Sequence, residues 1–333
     1  MKEIIRRPKV SVIVAVYNVE PYVERCVHSL FNQTLDDIEY IIVDDCSPDN
    51  SIEIIKKTLD RYPQRKKQVK FIHHESNQGQ AGARTSGMKA ATGEYMIHCD
   101  PDDWVELNMY ELLYNAAHPI GKNPIDVVLC NYMLHEMNGT KEVYIREFNT
   151  PQDYIKYVYK KHAPLFFLHT RLVSTELINK YCICPFSGIN FGEDRNVSIR
   201  INHYAQSILV IPDHLYHYNK LNENAITRLS RNESLWESWK LNVDLISDFL
   251  LSSNKREYRK ASNYFKFDAK MQFRNIFKND REWFDLYREC HGDIILFEEY
   301  SIFSRVVLSV VLSNYLFFKL FSYVKRVIIR GAD

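Results

Sequence analysis

Residues 10–16, Val-Ser-Val-Ile-Val-Ala-Val, form a β-branched run that is apolar on both faces. Such a run suits a parallel strand covered by helices on each side, because a strand with one face in water alternates. A helix follows it: Val23, Cys26, Val27 and Leu30 recur at i, i+3, i+4 and i+7, and Pro21 sits where a first helical turn tolerates proline. The pattern then repeats. Ile38 to Val43 reads as a second buried strand, Asn50 with Glu53 three residues on as a capping-box-like helix start, and Val69 to His73 as a third strand. A helix from about Gln80 to Ala91 leads to a fourth strand, Tyr95–His98. Strand and helix alternating through residue 104 predict an α/β layer with a mostly parallel sheet.

Two acidic turns fall at the carboxyl ends of these strands, the rim where such sheets bind ligands. They are Asp44-Asp45-Cys46-Ser47-Pro48-Asp49 after the second strand and Cys99-Asp100-Pro101-Asp102-Asp103-Trp104 after the fourth. Carboxylates crowded at the end of a buried strand are costly unless something positive sits among them. Oxygen ligands at that density suit Mg²⁺ or Mn²⁺, which keeps waters and takes further ligands from a diphosphate. The bland alternative is a turn in which Asp102 or Asp103 caps the next helix.

The order of motifs resembles family 2 glycosyltransferases. Val12-Ile13-Val14-Ala15-Val16-Tyr17-Asn18 comes first, then Gln33-Thr34, Val43-Asp44-Asp45-Cys46-Ser47, and Asn77-Gln78-Gly79 with Ala83-Arg84. Gly93-Glu94-Tyr95 running into Asp100-Pro101-Asp102-Asp103-Trp104 closes the series. The resemblance covers about residues 9–220 and implies the GT-A architecture, a Rossmann-like, mostly parallel sheet flanked by helices. Cys46 departs from it, standing where the family usually has glycine. By position, Ala15, Tyr17 and Asp45 match residues that hold the nucleotide base, and Asp44 braces the turn. Arg84 would lie near the diphosphate, with a salt bridge to a rim carboxylate as its structural alternative. Asp100 and Asp102 match the D-x-D pair, with Asp100 on the nucleotide side and Asp102 and Asp103 closest to the cation, Mn²⁺ or Mg²⁺. Gly192-Glu193-Asp194-Arg195-Asn196, ahead of a helical segment Val197–Asn202, matches the downstream E-D motif. It makes Asp194 the catalytic base, with Glu193 and Trp104 on the acceptor side. Tyr216-His217-Tyr218 and Asn224-Ala225-Ile226-Thr227-Arg228 match a late loop over the donor phosphates, with His217 as a metal or phosphate ligand and Arg228 as a phosphate clamp.

The implied reaction is metal-dependent, inverting transfer of a sugar from a nucleotide-diphospho-sugar, a UDP-sugar first, to a saccharide or lipid-linked saccharide in cell-envelope polysaccharide or glycolipid assembly. Two other classes compete. A nucleotidyltransferase normally carries a Gly-rich basic loop after its first strand, where this chain has Tyr17-Asn18-Val19-Glu20. A non-catalytic sugar-nucleotide-binding scaffold would fit if Glu193-Asp194 merely caps a helix.

The domain reading is a GT-A domain at 1–225, with a donor half at 9–104 and an acceptor half at 105–225. A helical extension follows at 226–300 and a basic amphipathic tail at 301–333. Forty-three basic residues against forty-two acidic ones leave nothing in the bulk charge that argues for nucleic acid. Seven cysteines without repeated C-x-x-C spacing read as reduced thiols. Met1 to Lys9 is polar and basic without a hydrophobic signal core, which places the expected start in the cytosol. From Ser301 to Ala332 the tail has no Asp or Glu and carries Arg305, Lys319, Lys325, Arg326 and Arg330 among Val, Leu, Ile and Phe. Its uncharged run, Val306 to Phe318, is short of the roughly 20 residues of a spanning helix. The expectation is a helix lying on the cytosolic membrane surface, or one packed on the domain or a second copy of the chain. The chain lacks the multiple spanning helices of a processive, polymer-exporting synthase, so transfer of one or a few residues is expected.

Overall fold

The computed structural model describes residues 7–160, 166–186, 188, 189, 191–222, 232–253, 255–298 and 300–321. The chain divides into two compact units, Met1–Gln152 with Leu165–Leu229, and Asp153–Pro164 with Ser230–Asp333.

The first unit opens with β1 (Val10–Val16), α1 (Glu20–Phe31), β2 (Ile38–Asp44), α2 (Ser51–Leu59), β3 (Val69–His73), α3 (Gly79–Ala90) and β4 (Tyr95–His98). β5 (Trp104–Val105), α4 (Met109–Ala117), β6 (Val127–Glu136) and β7 (Gly139–Val143) follow. After α5 (Pro151–Lys156) come β8 (Arg171–Ser174), α6 (Thr175–Lys180), α7 (Glu193–Tyr204) and β9 (Ile208–Asn219). Among the described residues the strands form one nine-stranded sheet in the order β3-β2-β1-β4-β8-β6-β9-β5, with β7 hydrogen-bonded to β6.

The two-faced apolar pattern of β1 has its cause in two separate cores. Val10, Val12, Val14 and Val16 face α1, packing with Val23, Cys26, Val27 and Leu30. Ile13 faces the other way, with Ile41 and Val43 of β2, Ala83 and Met88 of α3, and Val197 and Ile201 of α7. Period-two alternation therefore puts every second side chain into a different apolar layer. α3 can approach the sheet this closely because residue 87 is glycine. A Cβ there would stand 2.3 Å from Ile13 Cγ2.

β1 to β4 are mutually parallel, as the sequence predicts. Beyond β4 the sheet changes character: β8 pairs antiparallel with both β4 and β6, and β5 antiparallel with β9. β6 runs for ten residues, parallel to β9 across a bulge at Asn131. Pro212 explains the bulge, since it has no N–H for the ladder, and the Asn131 side-chain amide donates to its carbonyl at 2.9 Å. α2 starts after Asn50 as expected, yet the Asn50 side chain caps nothing. Asp49 Oδ1 accepts from Ser51 N at 3.1 Å and the Glu20 carboxylate from Asn50 N at 3.0 Å.

The second unit is helical. α8 (Glu233–Ser252) buries Trp236, Trp239, Val243, Ile246 and Leu250 and is capped by Asn232, which accepts from Leu235 N at 2.9 Å. α9 (Arg256–Gln272), α10 (Asp280–Asp285), a 3-10 segment at Arg288–Leu296 and α11 (Ile302–Ser313) follow, with residues 315–321 again helical. None of the helices among the described residues is long and apolar enough to cross a membrane.

Candidate active site

A cavity of about 630 Å³ lies over the carboxyl ends of the parallel strands, at the point where the strand order reverses between β1 and β4. The end of β1 contributes Ala15 and Tyr17, whose ring is 47% exposed on the rim. The end of β2 contributes Asp45. Its Oδ1 accepts from Gln78 N at 2.8 Å and pairs with His74 Nδ1 at 2.7 Å, while His74 Nε2 faces Ser86 Oγ at 2.9 Å. Asp45 thereby ties the β2 turn to the Asn77–Gly79 wall of the cavity. Asp44 accepts from Ser47 N at 2.9 Å within the turn, and Cys46 adopts φ +59°. The turn forms without glycine, at the cost of a left-handed non-glycine residue.

Arg84 organises the floor. Its position in the second turn of α3, held against the sheet through Gly87, buries the guanidinium almost completely. Nη2 donates to Asp100 Oδ1 at 2.8 Å, and Nη1 to Glu193 Oε1 at 2.6 Å and to Asp194 Oδ1. α7 begins at Glu193, four residues before the segment read from sequence, because Gly192 takes φ +77° and turns the chain into the helix. Glu193 and Asp194 are thus first-turn residues, at the end of a helix that favours carboxylates. Burial opposes the Arg84 charge, but Asp194, Asp100 and Glu193 outweigh it and raise the guanidinium's pKa further. Burial alone would raise Asp100 as well, but Arg84 and His169 hold it below the usual carboxylate range.

The remaining carboxylates are less well compensated. Asp102 accepts from Asn222 Nδ2 at 2.8 Å and is shifted upward by burial and by Asp100. Asp103 is fully buried, accepts from the Tyr216 hydroxyl at 2.5 Å and from Asn219 N at 2.7 Å, and is raised well above its ordinary range by burial, Asp102 and Asp100. Asp194 is pushed up to about 7 by burial, against the pull of Arg84. Among the described residues Arg84 is the cation ion-paired to this group. His98, buried at the end of β4 and pushed down to about 3 by burial and by Arg84, adds no charge. A buried carboxylate set with this deficit fits a divalent cation, and the donors fit a hard one. Asp100, Asp103 and His169 can each bring a ligand atom within 4.8 Å of the others, and Asp102 lines the cavity beside them.

The residues named from sequence do not all converge. Ala15, Tyr17, Asp45, Arg84, Asp100, Asp102 and Asp194 line the cavity, whereas Asp103 and Glu193 sit behind it as hydrogen-bond partners. His217 lies outside the cavity lining: its Nε2 meets Glu106 Oε1 at 2.8 Å, its Nδ1 meets His135 Nε2 at 3.0 Å, and its ring stacks on Trp104 at 4.8 Å. That Trp104 ring also meets His135, with centroids 4.4 Å apart, and Arg25, 3.5 Å from the centroid. Arg228 lies outside the described residues. Sequence reasoning missed His169, which lines the cavity between the rings of Phe167 and Tyr216 with Nδ1 3.2 Å from Asp100 Oδ2. No spacing marks it, since it arrives on an irregular segment before a four-residue strand.

Residues 11–191 match the family model described as Glycosyl transferase family 2. EpsH of Bacillus subtilis (strain 168) is 34% identical over 266 residues, spanning 78% of this chain and 74% of that protein. Glycosyltransferase GlyG of Streptococcus pneumoniae serotype 4 is 32% identical over 222 residues, 63% of this chain and 70% of that one. Among solved structures, S. aureus TarS 1–349 in complex with UDP-GlcNAc aligns with a TM-score of 0.64 at 21% identity, covering 87% of this chain and 81% of that chain. The mannosyltransferase PcManGT from Pyrobaculum calidifontis, in complex with GDP-Man and Mn²⁺, aligns with a TM-score of 0.51 at 13% identity, covering 95% and 84%. At those identities the likeness is one of fold, and the fold is GT-A.

Proposed function

The chain belongs to glycosyl transferase family 2, and from that premise we propose that it transfers a sugar from a nucleotide-diphospho-sugar to an acceptor hydroxyl with inversion, in a divalent-metal-dependent reaction of envelope polysaccharide or glycolipid assembly. One observation carries the reading. Asp194 lines the cavity, is tied through Arg84 to Asp100 on the opposite carboxylate turn, and has an Oδ2 with no partner among the described residues.

Asp194 takes the acceptor's hydroxyl proton as the acceptor oxygen attacks the anomeric carbon and the bond to the diphosphate breaks. A carboxylate raised to about 7 by burial is matched to that task near neutral pH. Arg84 orients the base and keeps the two acidic turns in register. Asp102 and Asp103 would hold the cation, with Asp100 and His169 each able to bring a ligand atom close to Asp103. A bound divalent cation supplies charge neutralisation for the departing nucleoside diphosphate. Tyr17, exposed on the rim, offers a face for the base to stack on, and Asp45 Oδ2, which has no partner among the described residues, offers an acceptor for a base N–H. A UDP-sugar is the first donor to test, since TarS, a fold neighbour, is described in complex with UDP-GlcNAc and with UDP. A single in-line displacement converts an α-linked donor into a β-linked product. The acid-free, basic 301–332 segment supports action at the cytosolic face of a membrane on a lipid-linked or other saccharide acceptor.

The experiment is a panel of UDP-, GDP- and other nucleotide sugars with Mn²⁺ or Mg²⁺, following nucleoside diphosphate release to water or to added saccharides. Metal-dependent release that disappears in Asp102→Ala and Asp194→Asn supports the reading. NMR of the product showing retained anomeric configuration would defeat the inverting mechanism.

A further inference from the structure

α11 and the helical residues after it are docked by one side and bare on the other. Val311 and Leu312 are buried, and Phe318 lies on Trp283 and Phe284 with ring centroids 5.2 and 5.6 Å away. The opposite face shows Ile302 at 72% exposure, Phe303 at 78%, Val306 and Val310 on α11, then Leu316 at 71%, Phe317, Leu320 and Phe321. Residues 302, 303, 306 and 310, and again 316, 317, 320 and 321, fall on single helical faces. Scattered exposed apolar side chains need no explanation, but a contiguous set of large ones does.

A groove of about 510 Å³ runs along this face between α11 and the 3-10 segment, lined by exposed Ile295, Val306, Val310 and Arg288. Arg305 donates to Ile295 O at 2.9 Å, which holds its charge beside the groove, and exposed Lys319 stands between Phe317 and Leu320. The sequence then adds Lys325, Arg326 and Arg330 with no acidic residue before Asp333.

We propose that this face is a lipid-docking surface, its apolar side chains entering the acyl boundary of an anionic membrane while Arg288 and Lys319 meet lipid phosphates. The choice of occupant rests on charge. A second copy of the chain would bring the same cations against these, whereas an anionic lipid surface complements them. The proposal names the surface behind the membrane location given above and rests on that location, not on the transfer chemistry.

The test is co-sedimentation of the full chain with vesicles of phosphatidylcholine alone and of phosphatidylcholine mixed with phosphatidylglycerol. The wild type is expected to pellet with the mixed vesicles far more than with the neutral ones. Phe303→Glu with Phe317→Glu, both at exposed positions, is expected to lower the binding constant about tenfold or more. Lys319→Glu is expected to weaken binding to the mixed vesicles alone. A wild type that stays in the supernatant with both vesicle types overturns the proposal, as does a double variant that pellets like the wild type. A dimer in sedimentation velocity that the double variant converts to monomer, without vesicle binding, would assign the face to a second copy. Nucleoside diphosphate release measured on the same proteins in solution keeps the two readings apart. Vesicle binding with no release from any donor would sink the transfer reading and leave this one standing.

Discussion

Two buried cations, Arg84 in the first unit and Lys270 in the second, are satisfied in opposite ways. Arg84 in the first unit is held by the carboxylates of Asp100, Glu193 and Asp194, and its charge is reinforced. Lys270 in the second unit is also buried, but among the described residues no carboxylate pairs with it: Nζ donates at 2.7 Å to the carbonyls of Phe284 and Leu286 and at 2.8 Å to His291 Nε2. His291 in turn faces Leu312 O through Nδ1 at 3.0 Å, so its proton is assigned to Nδ1 and its Nε2 accepts. Burial lowers Lys270 to about 8. The two sites differ in charge balance. Around Lys270 neutral acceptors use the available donors, as a staple at the end of α10 should. Around Arg84 the carboxylates exceed the cation, and an unbalanced buried set points to a missing positive partner and therefore to chemistry.

The strongest test of that contrast is Asp194→Asn, which keeps the shape and removes the proton acceptor. Turnover is expected to fall about 10²- to 10⁴-fold while the melting temperature stays close to that of the wild type. Donor-release kinetics with a thermal melt settle it, and a variant that keeps most of its activity would move the base elsewhere. The same group sets the acid side of the pH profile. The ionised carboxylate is the active form, so the rate should decline as pH is lowered through about 7 in a metal-saturated assay. A metal placed nearby would shift this limb to lower pH, never higher.

Next comes Arg84→Met, which strips the cation and leaves three carboxylates facing one another in a buried pocket. A loss of about 3–5 kcal/mol in urea unfolding is expected, with added Mn²⁺ restoring part of it. If the metal restores nothing, the deficit argument for a cation site fails. Arg84→Lys keeps the charge but loses the planar fork, and should separate stability from turnover.

Lys270→Met tests the other side of the comparison. Leaving three buried acceptors without a donor should cost about 1–3 kcal/mol, read by denaturant unfolding. The pH dependence has a definite sign. The folded-state pKa of about 8 lies below the ordinary 10.5, so between those values the unfolded chain holds a proton that the folded chain has released. This makes the wild type gain stability relative to the variant as pH rises from about 8 to 10.5. A gap that narrows over that range would mean that Lys270 is bound more firmly charged than neutral.

The smallest effect is expected at His217. With both ring nitrogens engaged by Glu106 and His135 and its ring on Trp104, His217→Gln should change turnover by less than about tenfold and leave metal dependence intact. Loss of metal-dependent release in this variant would restore the ligand role that the late Tyr216-His217-Tyr218 motif suggests.

How far the sequence carries depends on whether burial is local. β1, β2 and β4 are legible because these strands are apolar on both faces, and α1 because it repeats at its own period, so the pattern within four to twelve residues records the packing. The acidic turns are legible for the same reason, since they interrupt buried strands. β8 is four residues long and too short to carry a period, yet it inserts between β4 and β6 and sets His169 against Asp100. The start of α7 shifts to Glu193 through one left-handed glycine, a conformation that no periodicity announces.

Residue order by itself determined the parallel layer, the rim at the carboxyl ends of its strands and the acidic residues placed on it, because these follow from near-neighbour burial and from motif order. Tertiary structure decided which of those acids share a site. Arg84 joins Asp100, sixteen residues away, to Asp194, a hundred and ten away, and Tyr216 reaches back from β9 to secure Asp103. Such pairings join helices, a turn and a strand far apart in the chain, where the energy lies in long-range hydrogen bonds and desolvated charge, and neither leaves a trace in local pattern.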